Sequence, residues 1–372
     1  MFLSGLDETI EVPATLTRFV QEVFASLPRL DQRRWAEVYV RGLLRQDGRK
    51  SARNIADAVL GIPVAQSLQQ FVNQSPWDWR PVRDRLAALV AERTSPVAWV
   101  VHGTVIPKSG RYSVGVARRY VAEAGRTISC QVGKALFLAD DRGGVPVDWR
   151  IALPASWDDD AKLRERARIP PEERSRPEWS YVLDLIGEQE RRGADPAPVV
   201  VDGRHLDGVR ELAGRLRSFR PGFVLQVDAG IPVELQDGHV AKVGECAQEV
   251  IRNRRPAVVW RGGRDVELGS YFLSVPVRLP AAGPRSTSDT PLRLIIQRSP
   301  EDPLPVNYWL TSLPRDRGEQ AARLGGLVRR TEHDLRRLRL DFGLHDFEGR
   351  SFHGWHHYMT LVSAAYAYHC AF

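Results

Sequence analysis

The chemistry that the cysteine thiols and histidine imidazoles of this sequence could carry out depends on how these residues are spaced. The three cysteines, Cys130, Cys246 and Cys370, are odd in number, far apart and never in a CxxC pair. This spacing argues against a disulfide framework and a thiolate zinc site. We therefore expect the cysteines to be small buried side chains of a protein in the reducing cytoplasm. His356 and His357 are adjacent, and neighbouring side chains on a helix point apart, so the pair indicates packing rather than a metal site.

The charge of the chain favours an anionic partner. The 372 residues carry a net charge of +7, which suits nucleic acid, although most basic residues are Arg and genome base composition can produce the same bias. No run of about 18 apolar residues is present, so we expect no membrane partner. The acidic N-terminus lacks the pattern of a secretory signal, which predicts a cytoplasmic protein.

The elements that must position any site change in character along the chain. Residues 14–90 carry apolar side chains at helical spacing and predict a small helical domain. The elements predicted next are strands at 97–101, 112–116, 132–138 and 145–151, a helix at 178–192, a strand at 197–201, a helix at 207–216 and a strand at 222–227. Strands followed by strand–helix alternation predict an α/β fold, with a mixed sheet and helices on its faces.

The last part of the chain is β-rich and then helical. Residues 230–312 are dominated by β-like segments, and helices are predicted at 319–340 and 355–368. The segment AAGPRSTSDT at 281–290 predicts a mobile loop. We therefore predict an N-terminal helical domain at 1–92, a core in two parts at 93–229 and 316–372, and a β-rich insertion at 230–315.

Six stretches match one group of proteins in the same order. They are QSLQQFVNQSPWDWRPVRDRL (66–86), RYSVGVARRYVAEAGRTISCQV (111–132), VPVDWRIALPASW (145–157), RPEWSYVLDLI (176–186), APVVVDG (197–203) and HDFEGRSFHGWHHYMTLVSAAYA (345–367). They resemble the insertion-sequence transposases of the DDE superfamily. The resemblance implies an RNase H-like core, a mixed five-stranded sheet flanked by helices, with a β insertion before the last catalytic helix.

The resemblance also implies a chemistry that needs three acids. Two divalent metals, usually Mg²⁺, sit between carboxylates and promote in-line attack on a phosphodiester. The second acid maps to Asp202, directly after the apolar strand, and the third to Glu332, with Glu348 as the alternative. The basic residues expected before and after the glutamate correspond to Val328 and Arg339, so only one of the two is basic.

The first acid is where this sequence departs from the family. The family reads approximately WVIDDTGFPK, and this chain reads WVVHGTVIPK at 99–108, which places His102 where the first metal-binding aspartate is expected. Imidazole in place of a bridging carboxylate removes a negative charge and a hard ligand from between two cations. Ordinary transposition is therefore not expected. The segment after Asp202 also departs from the family.

Three interpretations stay open. In the favoured one the protein is retained as a DNA-binding or regulatory protein that cannot transpose. In the second, the fold has become an enzyme of another class acting on a small molecule, with His102, Asp202, His205 and Glu332 converging on one pocket. Either one divalent ion (Mg²⁺, Mn²⁺ or Zn²⁺) or no cofactor would serve it. The third is a decaying copy.

The further residues predicted to contact DNA or line the pocket are Lys108, Arg204, His205, Arg336 and Arg339. Relatives often act as oligomers, but nothing in the sequence fixes the oligomeric state.

Overall fold

In a computed structural model of the protein, the described residues are 14–45, 47–219, 221–252, 258–261, 270–280, 291–298 and 305–372. The loop predicted at 281–290 lies outside them. Within these ranges no helix is long and apolar enough to cross a membrane. Cys130 and Cys246 are buried and Cys370 is exposed, so the expectation of buried thiols holds for two of the three.

The N-terminal part is helical, as the spacing of its apolar residues predicts. Its helices are α1 Ala14–Val23, α2 Leu30–Arg45, α3 Ala52–Leu60, α4 Ala65–Asn73 and α5 Trp79–Thr94. On α1, Leu16, Phe19, Val20 and Val23 are all buried. Gly61 follows α3 with a φ of 64°, a left-handed conformation that glycine adopts without strain and that ends the helix.

These helices share a core with the last helix of the chain, α11 (Phe352–Ala371), which contacts α2, α4 and α5. The ring of His357 stacks on Trp77 with centroids 3.8 Å apart, and His356 stacks on Trp79 at 4.4 Å. Both histidines are buried between helices, in keeping with a packing role. A separate domain ending at residue 92 stays a prediction.

A mixed sheet forms the centre of the molecule. Its first six strands are β1 Ala98–Pro107, β2 Ala117–Val121, β3 Arg126–Asp140, β4 Gly143–Ala152, β5 Val199–Asp202 and β6 Phe223–Gln226. The core runs in the order β4, β3, β1, β5, β6. The pairs β4–β3 and β3–β1 are antiparallel, and β1–β5 and β5–β6 are parallel. This is the mixed five-stranded core that the resemblance implies. β2 pairs with β3 and forms an edge of the sheet.

The β-rich segment predicted at 230–315 extends this sheet beyond β6. Its elements are β7 Pro232–Glu234, β8 Val240–Lys242, α9 Val243–Arg252, β9 Val258–Arg261, β10 Tyr271–Val277, β11 Leu292–Arg298 and β12 Pro305–Thr311. β12 pairs antiparallel with β6, and β11, β10 and β9 follow in that order. β7 and β8 form a separate two-stranded sheet. The insertion therefore continues the core sheet through backbone hydrogen bonds.

Two predictions of local structure were wrong. The prediction of β-like segments over 230–312 missed helix α9. The buried residues of α9 fall at helical spacing, namely Val243, Cys246, Ala247 and Val250. The strand predicted at 112–116 is a turn, because Gly115 adopts a φ of 69°. A Cβ on Gly115 would lie 2.9 Å from Ile151 Cδ1, so the chain bends tightly against β4 before β2 begins.

The remaining helices are α6 Ala161–Ala167, α7 Glu178–Arg191, α8 Val209–Leu216 and α10 Gly318–Leu340. α7 and α11 lie on opposite faces of the sheet. On β4, Trp149 donates from Nε1 to α11 (2.8 Å), and the next residue, Arg150, donates to Glu188 of α7 (3.4 Å). Successive strand residues point to opposite faces, so the two helices are on different sides. α10 adjoins α11 through a hydrogen bond from the Tyr366 hydroxyl to Asp334 (2.7 Å).

Candidate functional site

The parallel pairing of β1 with β5 brings His102 and Asp202 together. Trp99 pairs with Val199 and Val101 with Val201, so the next residue on each strand is His102 and Asp202. His102 Nε2 lies 3.2 Å from Asp202 Oδ2, and both side chains are largely buried, at 8% and 11% exposed. The apolar residues before them fix the two strands in the core, and the polar pair emerges where that apolar run ends.

Both ring nitrogens of His102 face oxygen atoms. Nδ1 lies 2.8 Å from the carbonyl oxygen of Gly103. Nε2 faces the Asp202 carboxylate, but the angle is poor, and this nitrogen makes no hydrogen bond to any part of the chain that the structure describes. A buried polar atom without a hydrogen bond is costly, and a catalytic role is one explanation for it.

Asp202 ends β5 and opens a tight turn. Its Oδ1 accepts a hydrogen bond from the backbone N–H of Arg204 (3.1 Å), as in an Asx turn. The intervening Gly203 passes so close to β6 that a Cβ would lie 2.6 Å from the carbonyl oxygen of Gln226. The Gly203 N–H donates to that same oxygen (3.1 Å). Only glycine fits here, and the turn holds Arg204 over Asp202.

The guanidinium of Arg204 bridges two acids. Its Nε and Nη2 donate to Asp202 Oδ1 (2.9 Å) and Oδ2 (3.1 Å). Nη2 also lies 3.4 Å from Oε2 of Glu332 on α10. Arg204 is one-third exposed and Glu332 about half exposed, so the bridge closes over the more deeply buried Asp202. The sequence predicted Arg204 as a DNA or pocket residue, without this role.

The bridge sets the ionisation of Asp202. Burial opposes the charged carboxylate, but the hydrogen bonds from Arg204, the electrostatic effect of the neighbouring His102 and the charge of Arg204 outweigh it, so the pKa of Asp202 lies below its ordinary value. The hydrogen bond to Asp202 raises the pKa of Arg204, with Glu332 adding to the effect. Asp202 is therefore an anion at neutral pH, and its charge is already paired.

α10 carries a second acid that takes no part in this site. Asp334 accepts hydrogen bonds from the backbone N–H of Gly144 (2.7 Å) and the hydroxyl of Tyr366 (2.7 Å). Burial raises the pKa of Asp334, in contrast to Asp202. Asp334 fastens α10 to β4 and α11, which leaves Glu332 as the acid that α10 directs towards Arg204.

A groove of about 500 Å³ opens beside the site. Its floor is β1 from His102 to Pro107, one wall is the β2–β3 hairpin, and the other wall is α10. Arg336 and Arg339 stand exposed on the α10 wall, one and two turns beyond Glu332. His345, which was not among the site residues predicted from the sequence, also lines the groove, and burial lowers its pKa to about 4.

Lys108 serves a structural contact. Its Nζ donates to the carbonyl oxygen of Phe347 (2.7 Å) and lies 3.5 Å from that of His345. Nζ also lies 5.6 Å from the centre of the Phe347 ring, within cation–π range. Burial lowers the pKa of Lys108 to about 8. The side chain thus ties the end of β1 to the connection between α10 and α11.

His205 and Glu348 stand apart from the cluster. His205 has a φ of 58°, its N–H donates to Asp228 Oδ2 (2.8 Å), and its ring is mostly exposed and directed towards the same carboxylate. The expected convergence of four residues thus brings together His102, Asp202 and Glu332, while His205 faces Asp228. Glu348 pairs with Arg49 at 3.3 Å.

The resemblance implies divalent metals, but the donor set does not fit them. In the described ranges, no three His, Cys, Asp or Glu side chains are grouped so that they could hold a metal ion. The two carboxylates at the site, Asp202 and Glu332, are joined by the Arg204 guanidinium. Hard cations need several free oxygen ligands, and the third side chain beside these acids is the His102 imidazole. Asp202, Glu332 and His102 therefore do not fit a divalent metal ion.

One comparison with known proteins identifies the family of the chain. A family profile described as DDE superfamily endonuclease matches residues 22–219, more than half of the chain. A search of curated proteins found no match. A solved piggyBac transposase synaptic complex with hairpin DNA is similar at 12% identity, over 98% of this chain and 80% of that chain, with a TM-score of 0.36. On the strength of the profile match, the chain belongs to the DDE superfamily endonucleases.

Proposed function

We propose that this protein binds DNA along the groove between the β2–β3 hairpin and α10, and does not cut DNA by a two-metal reaction. Family membership, a net charge of +7 and the exposed Arg336 and Arg339 support the DNA partner. One observation carries the proposal that the protein does not cut DNA by a two-metal reaction. The buried His102 imidazole lies beside Asp202, at the position where the family is expected to have its first aspartate.

The physical reason is charge. Two Mg²⁺ ions a few ångströms apart repel strongly, and the family's chemistry depends on carboxylates between them. His102 supplies no such charge, and the charge of Asp202 is paired with Arg204. A DNA-binding protein without strand cleavage can occupy the ends that an active relative needs. A regulatory or inhibitory role therefore suits this site better than transposition.

DNA affinity at several salt concentrations tests the proposal. Labelled duplex DNA is titrated with the protein between about 50 and 200 mM salt, and the logarithm of the binding constant is plotted against that of the salt concentration. Each phosphate contact contributes roughly 0.9 to the slope. We expect the double variant Arg336→Ala and Arg339→Ala to bind more weakly and to lower the slope by about 2.

The matched control is Arg191→Ala, because Arg191 is an exposed arginine on α7, on the opposite face of the sheet. It should leave affinity and slope unchanged. Equal losses in the control and the double variant would show that general charge, and not the groove, binds DNA. Absence of salt-dependent binding by the unaltered protein would refute the DNA-binding half.

A second function is favoured by one observation. His102 Nε2 lacks a hydrogen bond, lies 3.2 Å from Asp202 and borders a groove whose volume is within the range of small-molecule sites, about 300–1,000 Å³. A His–Asp pair can act as general base, so the fold could serve an enzyme of another class.

The variant His102→Ala separates the DNA-binding function from this second function. Its DNA affinity should stay within about twofold of the unaltered protein's, a change of less than about 0.5 kcal/mol. A much larger loss would place His102 in the DNA contact itself, and activity lost on a small-molecule substrate would establish the second function.

A further inference from the structure

Arg204 holds the position of a cation between the two acids of the site. Its guanidinium makes two hydrogen bonds to Asp202, at 2.9 and 3.1 Å, and reaches Glu332 at 3.4 Å. We propose that Arg204 is a resident counter-cation, which takes the place of a divalent metal and keeps this acid pair closed to metal ions. The inference rests on the second half of the proposed function, the absence of two-metal cleavage, and its test does not depend on whether the groove binds DNA.

The backbone fixes the guanidinium in this place. Gly203 donates to the carbonyl oxygen of Gln226, and the Arg204 N–H donates to Asp202, so the turn is fastened to β6 and to the acid itself. The next N–H, of His205, donates to Asp228 (2.8 Å). With three consecutive backbone N–H groups bound, the Arg204 side chain starts from a fixed point. A preorganised bidentate fork of this kind loses little freedom on binding a carboxylate.

Charge then decides what the acid pair can accept. Two carboxylates and one guanidinium leave about one negative charge, against the three that three acids would offer. A divalent ion entering here would meet the positive charge of Arg204 at contact distance and would have to displace its hydrogen bonds to Asp202. His102 adds no anionic ligand on the β1 side. Two separate features therefore exclude the metal, and both must change to admit it.

Mn²⁺ alone, followed by titration calorimetry and by thermal unfolding, tests this inference. The proteins are the unaltered chain, Arg204→Met, His102→Asp, and the double variant with both changes. Methionine keeps much of the arginine's length without its charge. Arg336→Met is the matched control, since this arginine borders the groove one turn beyond Glu332 but makes no ion pair with an acid in the described ranges.

We expect no binding of millimolar Mn²⁺ at this site by the unaltered protein or by Arg336→Met. The double variant should bind Mn²⁺ at least about tenfold more tightly than His102→Asp alone, because a unit charge beside a divalent ion costs more than this even in a fairly polar medium. Binding of Mn²⁺ to the folded state also raises the unfolding temperature, which gives a second readout. Adding Asp202→Asn to the double variant should abolish both effects.

Two results would overturn the inference. One is tight Mn²⁺ binding by the unaltered protein that Asp202→Asn removes. The other is equal Mn²⁺ affinity of His102→Asp with and without Arg204→Met. If Arg204→Met prevents folding, Arg204→Lys in the His102→Asp background decides, because lysine keeps the charge. This variant should still bind Mn²⁺ weakly, and tenfold tighter binding than His102→Asp alone would show that the charge of Arg204 is not what excludes the ion.

Discussion

Asp148 on β4 sits at the centre of a buried charge cluster, and replacing it by asparagine should strongly destabilise the protein. The side chain is 1% exposed and accepts hydrogen bonds from Arg83, Arg150 and Arg192, each at 2.8 Å. Burial opposes its ionisation, yet the three guanidinium charges hold the pKa of Asp148 far below its ordinary value. Arg83 is equally buried, at 1% exposed.

The magnitude follows from what asparagine leaves behind. The change keeps the shape but removes the only acid that pairs with Arg83 among the described residues, so a buried guanidinium loses its counter-charge. Removing one partner of a buried pair costs about 3–5 kcal/mol. Asp84→Asn is the matched control, because Asp84 pairs with Arg192 at 2.6 Å but is 47% exposed. A surface pair contributes less than about 1 kcal/mol.

Urea denaturation at neutral pH, followed by circular dichroism and by tryptophan fluorescence, measures both changes. Asp148 joins α5, β4 and the residue that follows α7. Arg83 also donates to His356 O (2.9 Å) and Thr360 Oγ1 (2.8 Å) on α11. We therefore expect the helices before residue 92 and the core to unfold in one transition. A loss below about 1 kcal/mol for Asp148→Asn, or equal losses in the two variants, would refute this reasoning.

Two further predictions concern pH and packing. Burial lowers the pKa of His345 from 6.5 to about 4, so the unfolded chain takes up the proton first and stability falls as the pH drops through this window. In urea denaturation, the free energy of unfolding should be lower at pH 5 than at pH 7.5, and His345→Gln should reduce this difference by about 2 kcal/mol. An unchanged difference would contradict the burial argument. On α10, a Cβ on Gly325 would lie 2.7 Å from the Trp309 ring, whereas nothing lies within 4 Å of one on Gly326. Gly325→Ala should cost about 1–3 kcal/mol and Gly326→Ala should stabilise by up to about 1 kcal/mol; equal effects in thermal unfolding would show that the helix yields at this contact.

Local pattern was sufficient to place Asp202 but not its neighbours. The apolar run Val199–Val201 predicts a buried strand, and the structure has β5 there, ending at Asp202. The pairing of β5 with β1, which sets His102 beside Asp202, depends on hydrogen bonds between strands far apart in the sequence. No local pattern encodes that pairing, and the expectation that these two residues meet came from the family resemblance.

The bridge formed by Arg204 could not be predicted from the sequence. It depends on how closely Gly203 approaches Gln226 and on which side of α10 faces the turn, and both are long-range contacts. Helical periodicity predicts α10, but it does not distinguish Glu332, which reaches Arg204, from Asp334, which is bound by Gly144 and Tyr366. Helix α9 is different, because its buried apolar residues fall at helical spacing, so the sequence itself contains the pattern that indicates this helix.

The affinity of the protein for duplex DNA, measured once in a chelator and once in Mn²⁺ at matched ionic strength, tests the central claim most directly. With Arg204 on the acid pair and His102 on β1, binding should need no divalent metal. We predict binding constants that agree within about threefold, less than 1 kcal/mol, and DNA that stays intact in Mn²⁺. DNA binding that the chelator abolishes, or strand cleavage that Mn²⁺ restores, would contradict the account.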